Sequence, residues 1–270
     1  MPSAFSLSLI EYRKHSRTKL PYIGLVGAMI MACLWPYTLG YYTDTSTPLS
    51  GYERLGITMQ AIVSMLCPVF TAIFAATLVA GETSHRTIHY VLIRPITRLA
   101  FLASKFLIAF AYAIVLLLTG AVIAAIVIAI QPGYYSSLDR ALNVHIPAMQ
   151  YWPQFAMTLG MTLPALFATA AYGVFLSVLF RNTGAAVGTA AGLLVALEPL
   201  KQMIRWGDHS IAPLIWTNWF GQPLQLVVKL AAGTPELWNT EKIWMSQIVP
   251  AVWIVIFAVG SVIIMKRRDW

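Results

Sequence analysis

Residues 99–130 read LAFLASKFLIAFAYAIVLLLTGAVIAAIVIAI. The block carries one charge, Lys105, at its mouth. About 20 apolar residues in helical form cross the hydrocarbon core of a bilayer, so this run is long enough to cross with tilt or to extend beyond the core. Five similar blocks surround it: Leu20 to Gly40, Ile57 to Ala80, Pro153 to Phe180, Gly184 to about Leu197, and Trp244 to Met265. The fifth span in chain order is short and ends at Glu198-Pro199.

The whole chain agrees with this block. Of 270 residues, 59% are apolar or aromatic, 10% are charged, and the mean hydropathy is +0.71. An ordinary soluble domain is about 25% charged. A soluble chain of this size could not hide so much apolar surface, which excludes a globular, disordered or disulfide-scaffold protein. Long unbroken apolar blocks also argue against a membrane β-barrel, whose strands alternate polar and apolar residues. Cys33 and Cys67 lie inside apolar runs and read as buried free thiols.

The charges set the expected topology. Arg13, Lys14, Arg17, Lys19, Arg86, Arg94, Arg98, Lys105, Arg181, Lys266, Arg267 and Arg268 fall on one side, 12 of the 18 basic residues. The positive-inside rule then places both termini in the cytoplasm, and an even number of spans is required. The asymmetry accounts for the net charge of +8 without nucleic acid. The chain reads as one all-α integral membrane domain, 1–270, in the inner (cytoplasmic) membrane. Residues 1–19 form a basic interfacial helix, with a frayed tail as its alternative. Residues 20–198 hold spans one to five. Residues 199–243 form a re-entrant or external segment of short helices with tryptophans at headgroup level. Residues 244–270 hold span six and a cytoplasmic tail. No cleavable signal peptide is read at the start.

The loop after span two carries the most information: Gly81-Glu82-Thr83-Ser84-His85-Arg86-Thr87-Ile88-His89-Tyr90-Val91-Leu92-Ile93-Arg94-Pro95-Ile96-Thr97-Arg98. Glu82 and Arg86 are spaced to pair on a helical face. Ile88, Val91 and Leu92 make an apolar stripe, Pro95 stops the helix, and Arg98 and Lys105 reach headgroup level. This predicts a short amphipathic docking helix exposed to the cytoplasm.

The loop, the basic N-terminus, the six spans, the broken region before the last span and the Lys266-Arg267-Arg268 cluster together resemble the type-2 ABC transporter permeases. The resemblance rests on Glu82, Arg86, Thr87, Ile88, Val91, Leu92, Pro95, Arg98 and Lys105; Arg86 departs from the usual Gly. It implies the transmembrane subunit of an exporter, paired with an identical or related second permease and two ABC ATPase subunits. Residues 82–98, with Arg94, would form the coupling helix, and the region before span six a re-entrant hairpin. The chain itself has no phosphate loop, and no Gly-Lys pair occurs in it. By this reading it is not an enzyme by itself, and ATP and Mg would sit in the partner.

Other features were weighed for chemistry. Gly184, Gly188 and Gly192 recur every four residues, as either a dimer or translocation seam or a surface packed within the chain. Glu198 is either an outer gate or an exposed partner of Lys201 or Lys229. Pro36, Pro68, Pro164 and Pro199 are potential kinks. His85 and His89 have helical metal spacing but lack further histidine boxes. Met29, Met31 and Cys33 do not share one face, so no metal site is expected. With Lys105 placed at a mouth, spans one to four carry no Asp, Glu, Lys, Arg or His between their ends. A membrane-embedded enzyme therefore lacks residues. That enzyme and a polytopic assembly or scaffold protein are the alternatives to transport.

Overall fold

Each of the six apolar blocks folds into a helix long and apolar enough to cross a membrane. The computed structural model describes residues 4–42, 49–84, 97–130, 138–139, 144–145, 148–206, 209–232 and 238–267. Helix α1 (Ala4–His15) precedes α2 (Leu20–Tyr42). The second span is α3 (Gly51–Ala61), a π turn (Ile62–Leu66) and α4 (Cys67–Ser84) in continuous succession. Then come α5 (Arg98–Ala129), α6 (Ala148–Leu179), α7 (Thr183–Met203), the short α8 (Gln222–Ala231) and α9 (Thr240–Arg267). Among the described residues the extended pairs are two-residue ladders, Leu138–Asp139 with Val144–His145 and Arg205–Trp206 with His209–Ser210.

Local chemistry explains several of these boundaries. The side chains of Ser50, Thr97 and Asn182 accept from the backbone N–H of Glu53, Ala100 and Gly184, so α3, α5 and α7 start with capped turns. The π turn precedes Pro68, which has no N–H for the carbonyl four residues back. The widened turn puts the Cys67 N–H on the Ile62 carbonyl. Pro36, Pro164 and Pro199 lie inside continuous helices, as do Pro153 and Pro250.

The centre of the bundle is α4 against α6. A Cβ added at Gly173 would lie 2.6 Å from the Ala75 Cβ and 2.8 Å from the Ala72 carbonyl. The Val79 and Ala80 N–H groups both donate to Ser177 Oγ at 2.8 Å. In lipid, apolar surface gains nothing by leaving its solvent. Close backbone approach and cross-helix hydrogen bonds hold such a pair instead. Span α6 is 72% buried within the chain, whereas α7 is 17% buried and lies at the edge.

The 199–243 segment differs in part from expectation. Helix α7 runs past Glu198-Pro199 to Met203. Two 3₁₀ turns, Ala212–Leu214 and Trp216–Trp219, lead into α8, which buries Pro223, Leu224, Val227 and Ala231. Trp216 and Trp219 are buried against protein. Their indole N–H groups donate to Thr169 Oγ1 (3.1 Å) and to the Pro213 carbonyl (3.0 Å). A buried indole needs a partner; α6 supplies it for Trp216 and the segment itself for Trp219.

Both chain ends meet at one end of the bundle. Lys14 of α1 reaches Glu82 at the end of α4, and Arg98 Nη1 donates to the Met265 carbonyl near the end of α9 at 3.1 Å. An even number of crossings produces this arrangement.

Candidate functional site

The site grows from α1. Its helical spacing puts Glu11, Lys14 and His15 toward the bundle. Lys105 projects from the second turn of α5, and Glu82 from the last turn of α4. Lys105 Nζ lies 2.7 Å from Glu11 Oε2 and 2.7 Å from Glu82 Oε1. Lys14 Nζ lies 2.6 Å from the same Glu82 oxygen. His15 Nε2 faces Glu11 Oε2 at 3.4 Å. The Lys105 side chain is fully buried, with the Phe101 ring centroid 4.9 Å from its ammonium.

Two carboxylates and two ammonium groups thus balance where α1, α4 and α5 converge. Burial alone would raise the Glu11 pKa. His15, Lys105 and Lys14 outweigh it and hold the carboxyl at about 2. The arrangement is an ionic clamp. Each of its carboxylates faces at least two basic side chains.

This cluster corrects several expectations. Lys105, near the start of α5, is buried in protein and not exposed to headgroups. It lies inside α5 as a buried charge, because two carboxylates are there to neutralise it. Span two also carries Glu53 and Arg54 within α3, so spans one to four are not free of charge. Glu82 belongs to α4, is 4% exposed, and engages two lysines, so it is not part of an exposed docking face. Arg98 caps the last carbonyls of α9, a favourable place for a cation. Arg86, Thr87, Ile88, Val91, Leu92, Arg94 and Pro95 lie outside the described residues, as do His85 and His89.

Gly184, Gly188 and Gly192 face away from the rest of the chain. A Cβ at Gly188 or Gly192 would meet nothing within 4 Å, and one at Gly184 would meet only Asn182 Oδ1 at 3.4 Å. The opposite face of α7, Ala186, Ala190 and Leu194, is the one buried. Among the described residues, no neighbour covers this stripe. Glu198 Oε2 lies 2.7 Å from Lys201 Nζ, which is the partner reading of that residue. Among the described residues no group of three or more His, Cys, Asp or Glu is placed to hold a metal.

Comparison with known proteins adds family membership without an activity. The profile of a family described as "Protein of unknown function (DUF2705)" matches residues 24–270. "Uncharacterized protein YhcI" of Bacillus subtilis (strain 168) is 26% identical over 223 residues, covering 79% of this chain and 67% of the relative. These findings overturn the resemblance to type-2 ABC permeases. The loop motif behind it consists of basic, small and aliphatic residues that any basic interfacial loop supplies.

Proposed function

The chain belongs to the DUF2705 family, and we propose that it is the membrane-spanning subunit of a transporter driven by a separate ABC-type ATPase. The reading rests on layout and not on family, and one observation carries it. The 85–96 connection emerges directly from α4, whose last turn is clamped to α1 and α5 through Glu82, Lys14 and Lys105. A partner that moved this connection would pull on three elements at once. A two-state bundle needs such a lever if binding elsewhere is to shift its equilibrium.

Further support comes from the chain's lack of a phosphate loop and from the 12 of 18 basic residues expected at this end. The end with the clamp therefore faces the cytoplasm of the inner membrane, where an ATPase finds ATP and Mg. A second copy, or a related subunit, packs on the uncovered glycine face of α7. The proposal concerns energised movement across the membrane. Export as its direction came with the resemblance and falls with it.

The test is affinity purification of the full chain with its genomically adjacent ATPase, against Arg86→Glu with Arg94→Glu. These changes leave Glu82 and the clamp in place. The expected result is loss of the ATPase and of its stimulated hydrolysis, with unchanged thermal stability in detergent. Undiminished binding and stimulation, or an adjacent partner without a phosphate loop, would overturn the proposal.

A further inference from the structure

Beside the clamp, and sharing His15 with it, lies a cavity of about 400 Å³ between α1, α2 and α5. That is within the size range of small-molecule sites. Its two ends differ in chemistry. The floor is apolar: Leu25 of α2, Phe74 of α4, and Leu107, Ile108, Ala111 and Val115 along α5. Residues 107 to 115 cover about 12 Å of helix, a depth that accepts part of an extended acyl chain. The rim is polar and comes from α1 and the turn after it, with Tyr12, His15 and Ser16. Leu107, Val115 and Tyr22 are each 44–50% exposed, so the cavity opens sideways toward the surrounding lipid. An apolar floor of this kind does not hold water well.

The rim also carries charge. Between the lining residues Ser16 and Pro21 the chain passes Arg17 and Lys19, both exposed, and Arg13 lies one turn back on α1. None of these three cations is in an ion pair among the described residues, whereas neighbouring Lys14 is used by the clamp. From an apolar slot open to lipid, with three nearby cations that are unpaired among the described residues, we infer that the cavity binds one anionic glycerophospholipid. An acyl chain lies along α5, and the phosphate meets Arg13, Arg17 and Lys19. Charge complementarity selects this occupant over a neutral lipid, because each basic residue near a membrane surface adds attraction for an anionic headgroup. The uncovered face that suits a second copy is on α7, a different element. The inference does not depend on the transport reading and would stand without an ATPase.

The test reconstitutes the full chain in phosphatidylethanolamine nanodiscs with a minority of phosphatidylglycerol bearing a diazirine on its acyl chain, and maps the cross-links by peptide mass spectrometry. Two variants are compared with the parent. Ala111→Trp fills the floor from an exposed position. Arg17→Gln with Lys19→Gln neutralises the rim without touching a buried residue. Labelling should concentrate on 107–115 in the parent, fall about thirtyfold in the rim variant, the size expected from losing two surface cations, and fall at least about tenfold in Ala111→Trp, where the floor is filled. A diazirine-bearing phosphatidylethanolamine should label that segment weakly in all three proteins. Equal labelling of parent and variants, equal labelling by the two lipids, or cross-links to a second copy of the chain in that segment would overturn the inference.

Discussion

Lys105 shows how a single residue controls the joint between the interfacial helix and the spans. A fully buried ammonium is tolerable because Glu11 and Glu82 both approach to 2.7 Å. Removing one partner of a buried ion pair costs about 3–5 kcal/mol, much of it the charge left behind. Lys105→Met should therefore lower the thermal midpoint in detergent sharply. Adding Glu11→Gln to it should recover part of the loss, since without Lys105 the Glu11 carboxylate is left with only His15, whereas Glu82 keeps Lys14. Glu11 makes the joint sensitive to acid. Its pKa falls from 4.5 to about 2 in the folded protein, so its contribution to stability is complete above 4.5. That contribution drains away as pH drops from 4.5 through about 2. Hydrogen exchange of α1, corrected for intrinsic rates, should show protection declining over that window. Glu11→Gln should start less protected and lose the pH dependence attributable to this carboxyl.

At the scale of elements, two glycine positions of similar appearance behave oppositely. Gly173 sits at the α4–α6 crossing, where a side chain would collide with the Ala72 and Ala75 backbone region. Gly173→Leu should cost about 1–3 kcal/mol or more through overpacking, read as a lowered midpoint. Gly188 has open space beside it. Gly188→Leu should leave the single chain's midpoint unchanged and, under the proposed pairing, reduce the dimer fraction measured by light scattering in detergent. The every-fourth-residue glycines of α7 are conspicuous in sequence. The Ala72, Ala75, Gly173 and Ser177 seam, which holds the centre, has no such regularity. Periodicity revealed that α7 has a smooth face but not which neighbour, if any, covers it. The π turn was announced only by Pro68, and a proline predicts a disturbance without predicting how the chain relieves it.

For the whole molecule, crossing number and end-to-end placement are linked. Six spans return the chain to the end where it began, and the Arg98–Met265 and Lys14–Glu82 contacts close that end. Reporter tags fused to each terminus should both be protected from protease added outside intact cells. Tags on opposite faces would contradict the bundle itself, while two exposed tags would invert the proposed orientation and leave the bundle intact.

The amino-acid sequence alone determined that the chain has six helices long and apolar enough to cross a membrane, roughly where each lies, and how its basic residues divide between the connections. Those properties come from local runs of apolar residues and from counting charge, and no long-range contact is needed to read them. Tertiary structure decided the site. Glu11, Glu82 and Lys105 are far apart in the chain, and no local spacing links them. Only the packing of α1 across α4 and α5 brings them within 3 Å, where low polarity turns three unremarkable residues into one mutually dependent cluster.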